Sequence, residues 1–138
     1  MTTESDLKDI ISKMKLQTPF RGVFMRNELK DIEPLENECL ILNLNDTTVT
    51  VEENTKTGHW CALFKDGPYK YWFCSYGSPI PTEVVKYLGM PILYHNFVIQ
   101  SFNSAICGEM CCLFIYFMDN NLSYFDAVLE LLEMFQDD

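Results

Sequence analysis

Apolar residues enter the chain at helical spacing. Leu7, Ile10, Ile11 and Met14 recur at i, i+3, i+4, i+7, which predicts an amphipathic helix over residues 4–16, capped by Ser5 and with Lys8 on its wet face. Pro19 ends that tendency. Residues 38–43 are a short apolar run of the kind a buried strand shows, and residues 48–52 alternate like an exposed one. Two aromatic-rich runs, 59–65 and 69–76, are joined by Lys65-Asp66-Gly67-Pro68, whose turn chemistry predicts a β-hairpin.

Beyond the hairpin, Pro81 in a first turn and Gly89 after the last predict a short helix over 81–88. Residues 93–100 lean towards a final strand. Residues 107–117 and 123–135 form two further helical patterns, separated by the polar Asp119-Asn120-Asn121. Ser123 is placed to cap the second, with Asp126 three residues on, and Leu129, Leu132, Met134 and Phe135 suggest its packing face. There is no internal repeat, low-complexity segment or linker. The order of elements predicts a single α+β domain over residues 1–138, with a central, mostly antiparallel sheet packed with helices.

Composition narrows the partners. A hydrophobic share of 48% and an aromatic share of 14% suffice for an ordered core. Ten Lys and Arg against twenty Asp and Glu give a net charge of -10, and the cations are scattered, so nucleic acid is not expected as a partner. The N-terminal residues lack the basic-then-apolar order of a signal peptide. The most apolar stretch, 105–118, is broken by Glu109 and too short to span a bilayer. The expectation is a soluble, intracellular protein that is not secreted, with its six cysteines mostly reduced. Their spacing contains no CxxC pair and there are no paired histidines, so neither a structural metal nor a cofactor is expected.

Chemistry concentrates around Cys107 and His59. A histidine in a strand is by default packed or solvated, and that reading is kept for His95. Free cysteine is by default a buried residue, the reading kept for Cys111 and Cys112, which would face inward with Phe114 and Ile115. Cys107 differs because it follows a loop after a predicted strand and opens a predicted helix. There, unpaired amides and the helix dipole favour a thiolate.

The pair His59-Trp60 after Gly58, the run Tyr71-Trp-Phe-Cys-Ser-Tyr-Gly77, and the string from Gln100 through Asn103-Ser104-Ala105 to Cys107-Gly-x-x-Cys111-Cys112 follow one another in a distinctive order. With Leu7-Lys8-x-Ile10-Ile11 and Pro19-Phe20-x-Gly22-Val23-Phe24, they resemble the adenovirus endopeptidase (adenain) family and the smaller proteases of virophages and Polinton-type elements. The resemblance implies a papain-like, adenain-like architecture with the nucleophile at a helix N-terminus. It implies Cys107 as nucleophile, His59 as general base, and Gln100 with the Cys107 backbone N–H as the oxyanion hole. Trp60, beside the base, would either floor the substrate cleft or simply pack.

The implied activity is endoproteolysis of viral capsid or core precursors near small residues such as glycine, in the host cytoplasm or virus factory and inside the virion. Adenoviral members respond to a capsid-derived peptide and DNA. Here the charge opposes DNA, no cysteine between Cys74 and Cys107 could capture a peptide by disulfide, and whether any peptide activates the chain is open.

One position departs from the family pattern. Where the family places an acid after the aromatic residue, this chain has Cys74, and a neutral thiol holds an imidazole by its Nδ1–H poorly. Three readings follow: a Cys-His pair oriented by a carbonyl or water, a substitute such as Asp66 or Ser75, or a weak or variant enzyme. Two alternative functions stand beside the endopeptidase. One is a SUMO- or ubiquitin-like deconjugating protease, whose relatives usually have one residue fewer between glutamine and cysteine and an Asp after the aromatic. The other is a catalytically weak, peptide-binding relative.

Overall fold

The structure, a computed structural model, describes residues 3–44, 59–99 and 106–135. Its elements are α1 (Glu4–Met14), β1 (Phe20–Met25), a 3-10 helix (Arg26–Asp31), β2 (Asn37–Asn43), β3 (Trp60–Asp66), β4 (Tyr69–Phe73), α2 (Thr82–Leu88), α3 (Cys107–Asp119) and α4 (Tyr124–Met134). The four strands make one sheet in the order β1-β2-β3-β4. β1 runs parallel to β2, and the other two pairings are antiparallel. The exposed strand expected over 48–52 lies outside the described residues.

Both faces of the sheet are covered, which is why β2 and β3 read as continuous apolar runs rather than as alternating ones. One face presents Cys39, Ile41, Ala62, Phe64 and Phe73 to the helices α1, α3 and α4. The other presents Leu40, Leu42, Cys61, Leu63 and Trp72 to Leu29 of the 3-10 helix and to Val84 and Leu88 of α2. The expected α+β domain with a mostly antiparallel sheet is therefore what the chain forms.

Local chemistry corrects several expectations. α1 is capped by Thr3, not Ser5: the Thr3 hydroxyl accepts from the Asp6 amide while the Asp6 carboxylate accepts from the Thr3 amide. That reciprocal pair satisfies two donors at once, whereas Ser5 already lies inside the first turn. Pro81 is the N-cap of α2 and Thr82 its first residue. α4 starts at the predicted cap, with the Ser123 hydroxyl accepting from the Asp126 amide. Its packing face is Tyr124, Ala127, Val128 and Leu131, while Leu129 and Met134 are exposed and Leu132 and Phe135 only half-buried. The i, i+3, i+4, i+7 set one step earlier in the helix wins because the Tyr124 hydroxyl donates to the Trp72 carbonyl at 2.7 Å and fixes the rotation.

Residues 93–99 do not form the expected last strand. They touch β4 at a single parallel bridge, Tyr71 to Leu93, with one further bond from the Ile99 amide to the Ser75 carbonyl at 2.7 Å. Leu93, Tyr94, Phe97 and Val98 point largely into solvent, so burial does not enforce a ladder. Gly77 (φ 66°) sits against this segment so closely that a Cβ would lie 2.7 Å from the Phe97 backbone nitrogen and oxygen. A side chain there is excluded by both its own backbone and its neighbour.

A buried ion pair locks the open edge. The Glu38 side chain, 0% exposed, accepts from Arg21 Nη1 at 2.9 Å, from the Tyr87 hydroxyl at 2.6 Å and from the Leu35 amide at 2.8 Å. It thus ties β1, β2 and α2 together. Removing one partner of such a pair strands the other charge in a low-dielectric site. Glu38→Ala is therefore expected to lower unfolding stability by about 3–5 kcal/mol, read from urea denaturation. A loss no larger than that of an exposed glutamate would show that Arg21 finds solvent without rearrangement.

Candidate active site

β2, β3 and β4 bring the site's side chains to one end of the sheet. His59 precedes β3, and its carbonyl accepts from the Leu44 amide at 3.0 Å, extending the β2–β3 pairing by one step. Cys74 follows β4 directly and is 2% exposed. The hairpin ladder runs from Asp66–Tyr69 to Ala62–Phe73, so its next rung sets Cys61 opposite Cys74. Side chains two apart on a strand share a face, which puts His59 beside Cys61. His59 Nε2 lies 3.3 Å from Cys74 Sγ.

The imidazole is held as well as approached. Its ring stacks on Tyr76 with centroids 3.8 Å apart and planes 9° from parallel. Nδ1 is buried and makes no hydrogen bond among the described residues. Cys107 is the first residue of α3, 8% exposed, and α3 packs on β3. Its thiol lies near enough to raise the ring's proton affinity.

The charges explain how a cysteine can stand where an acid is expected. Burial alone would lower the His59 pKa, but the Cys107 and Cys74 thiols outweigh it and lift the ring to about 9. Cys74 moves the other way, far below an ordinary thiol. The Cys61 thiol, which hydrogen-bonds to its sulfur, contributes most; His59 and the Ser78 amide add to it against the cost of burial. Both shifts run towards a Cys74 thiolate paired with imidazolium and away from the neutral thiol anticipated from the sequence. It also meets the ring at Nε2, not at Nδ1. Cys61 keeps its proton, pushed up first by complete burial and then by the bond to Cys74.

The remaining described residues named from the sequence are buried or distant. Asp66 ends β3 seven residues from His59, roughly 20 Å away along an extended chain, and is exposed. Ser75 is fully buried next to Cys74. Trp60 is 4% exposed and packs in the core on the α3 side of the sheet, leaving little of it for a substrate. Cys111 and Cys112 are buried with Phe114 and Ile115. His95 is also buried, its Nδ1 3.0 Å from the Phe97 carbonyl and its pKa lowered first by burial. Gln100 lies outside the described residues, as do Gly58 and the chain up to Ala105. Cys61 and Tyr76 were not singled out from the sequence. The hairpin turn carried the signal for Cys61, since counting back from Asp66–Tyr69 places it across from Cys74.

No protein-family model and no curated protein matches the chain. Solved structures do. The ASFV pS273R protease superposes with a TM-score of 0.52 at 20% identity, covering 72% of this chain and 42% of that protein. The SUMO protease Ulp1, with its catalytic cysteine oxidized to a sulfinic acid, superposes with a TM-score of 0.51 at 13% identity, covering 94% of this chain and 73% of Ulp1. This chain thus spans less than half the length of the ASFV enzyme. At these identities the likeness establishes the fold alone, the one these two cysteine proteases share.

Proton-detected titration of the two histidines checks the electrostatics. His59 is expected to hold its proton to about pH 9, and His95 to lose its proton below the ordinary imidazole value. Cys74→Ala should pull the His59 pKa down, because it removes one of the two thiols that raise it. A His59 pKa unmoved by Cys74→Ala would mean that the sulfur at Nε2 carries no charge.

Proposed function

We propose that this chain is a cysteine endopeptidase in which Cys107 attacks, His59 shuttles the proton and Cys74 does the work of the missing carboxylate. The observation that carries the reading is a single imidazole fixed by Cys74 at 3.3 Å on Nε2, with the Cys107 thiol that opens α3 near enough to raise the ring's proton affinity. In the fraction of the chain whose ring has given up its Nδ1 proton, a Cys74 thiolate accepting from Nε2–H fixes the neutral tautomer that leaves the Nδ1 lone pair free, the part an aspartate plays in a triad, so cleavage should rise with pH towards about 9.

In the proposed cycle, Nδ1 takes the Cys107 S–H proton as the sulfur adds to the scissile carbonyl; the gap at Nδ1 closes as substrate seats. The oxyanion is held by the Cys107 backbone N–H and the Gln100 side-chain amide. The imidazolium gives its proton to the departing amine, leaving a thioester on Cys107. Water then adds to that thioester, with Nδ1 taking its proton, and the proton returns to the sulfur as the acid product leaves.

The substrate is a protein, and the reading favoured is a viral structural precursor cut beside a small residue, in the host cytoplasm, virus factory or virion. Support comes from the fold shared with the ASFV protease and from the Gln100-to-Cys107 spacing, which resembles the adenain type. The fold likeness to a SUMO protease over 94% of the chain keeps deconjugation as the second reading. A panel of glycine-containing peptides set against ubiquitin-like C-terminal conjugates separates the two.

Cys107→Ala and His59→Ala should each abolish peptide cleavage in folded protein, because the members of such a unit fail together. Gln100→Ala should lower kcat by roughly 100-fold with little change in KM. Cys74→Ala should cost about 10- to 100-fold in kcat, and Cys74→Asp should retain more activity than Cys74→Ala. Near-normal turnover in Cys107→Ala or His59→Ala would remove the proposal. Equal activity in the two Cys74 variants would remove the thiolate's role.

A further inference from the structure

Cys61 gives the site a second sulfur that touches no reacting atom of the proteolytic cycle. One ring nitrogen of His59, Cys61 Sγ and Cys74 Sγ all lie within 4.8 Å of one another, and Nε2 is the nitrogen 3.3 Å from Cys74. No linear spacing announces the trio; the hairpin register assembles it by placing Cys61 across from Cys74 and two residues from His59. In a tetrahedral site with about 2.3 Å to sulfur and 2.0 Å to nitrogen, neighbouring donors sit roughly 3.4–3.8 Å apart. His59 Nε2 and Cys74 Sγ, 3.3 Å apart, are already close to that spacing, and the widest pair must close by at most about 1 Å.

The donor chemistry is selective. One imidazole and two thiols suit Zn2+ and similar thiophilic ions, not Mg2+ or Ca2+, which require oxygen. Cys61 and Cys74 sit among Leu63, Trp72 and Val84, so water is sparse on one side. His59 is half-buried, which leaves a way in past its ring. Three protein donors with an open fourth position is an established arrangement for exchangeable zinc.

We propose that His59 Nε2, Cys61 Sγ and Cys74 Sγ bind one Zn2+-class ion, with water as fourth ligand, and that the ion reversibly silences the protease. On binding, Cys61 releases its S–H proton and the His59 ring its Nε2 proton to solvent, while Cys74 enters as the thiolate. With the ion on Nε2, the one proton of the neutral ring sits on Nδ1, which can then no longer accept from Cys107. The silencing rests on the proposed role of His59 as base; the ion binding does not.

Co2+ is the probe, because its absorption reports both thiolate ligation and tetrahedral geometry. Titrating the full reduced chain with Co2+ should give thiolate-to-cobalt charge transfer in the near ultraviolet and strong visible bands, bleached by equimolar Zn2+. Cys61→Ala, or Cys61→Val if alanine unfolds the chain, should weaken Co2+ binding by at least about 100-fold. Cys107→Ala should keep the bands and the affinity. Binding unchanged in both folded Cys61 variants would overturn the proposal. Bands lost in Cys107→Ala would do the same, since the ion would then be captured by Cys107 and His59. In the wild-type chain, Zn2+ should inhibit cleavage at near-stoichiometric concentration and a chelator should restore it. Cys61-dependent cobalt bands in a chain that cleaves nothing would leave the metal site standing and remove the endopeptidase reading.

Discussion

The β3–β4 ladder is the constraint on which the site depends. Its register, Asp66 with Tyr69 through Ala62 with Phe73, sets Cys61 opposite Cys74 and leaves His59 one step beyond the strand end. A slip of one residue would turn Cys61 and Cys74 to opposite faces and dissolve the cluster. The register is well enforced: Ala62, Phe64 and Phe73 must meet the helices on one side, and Leu63 and Trp72 must meet α2 and the 3-10 helix on the other. Burial of both faces therefore does more than stabilise the fold. It decides which atoms meet the imidazole.

From that constraint the electrostatics follow. A sulfur buried beside an imidazole in a poorly hydrated pocket either stays neutral or ionises as a pair. Here the Cys61 S–H, the His59 ring and the Ser78 amide all favour the anion on Cys74. Stacking on Tyr76 holds the ring plane so that Nε2 keeps facing the sulfur. The cost of burying the charge is met by hydrogen bonds rather than by solvent, as buried ionised groups require. The same concentration of soft donors that makes a thiolate workable also makes the pocket attractive to thiophilic metal.

Much of this was legible in the sequence because it rests on local pattern. The helix Glu4–Met14, the hairpin turn at Gly67-Pro68 and the Ser123 cap each come from side chains acting within a few residues. Cys107 stood out because a cysteine opening a helix after a loop is an uncommon placement. Strand β1 was not assigned, because its partner β2 lies across the intervening 3-10 helix and only tertiary pairing makes it a strand. The Arg21–Glu38–Tyr87 network is invisible for the same reason: its members are 17 and 49 residues apart. The charge of Cys74 could not be read either, since a thiol's ionisation is set by neighbours that the hairpin brings together. Residues 93–99 look like a strand by composition, yet their apolar side chains are left facing outwards.

The most direct test of the central claim is selective alkylation. The folded chain is treated at neutral pH with a substoichiometric thiol-directed electrophile, and the adducts are mapped by mass spectrometry. The account predicts one dominant adduct, on Cys107, formed much more slowly in His59→Ala, with buried Cys39, Cys111 and Cys112 untouched. A dominant adduct on Cys74, or a Cys107 rate indifferent to His59, would contradict it.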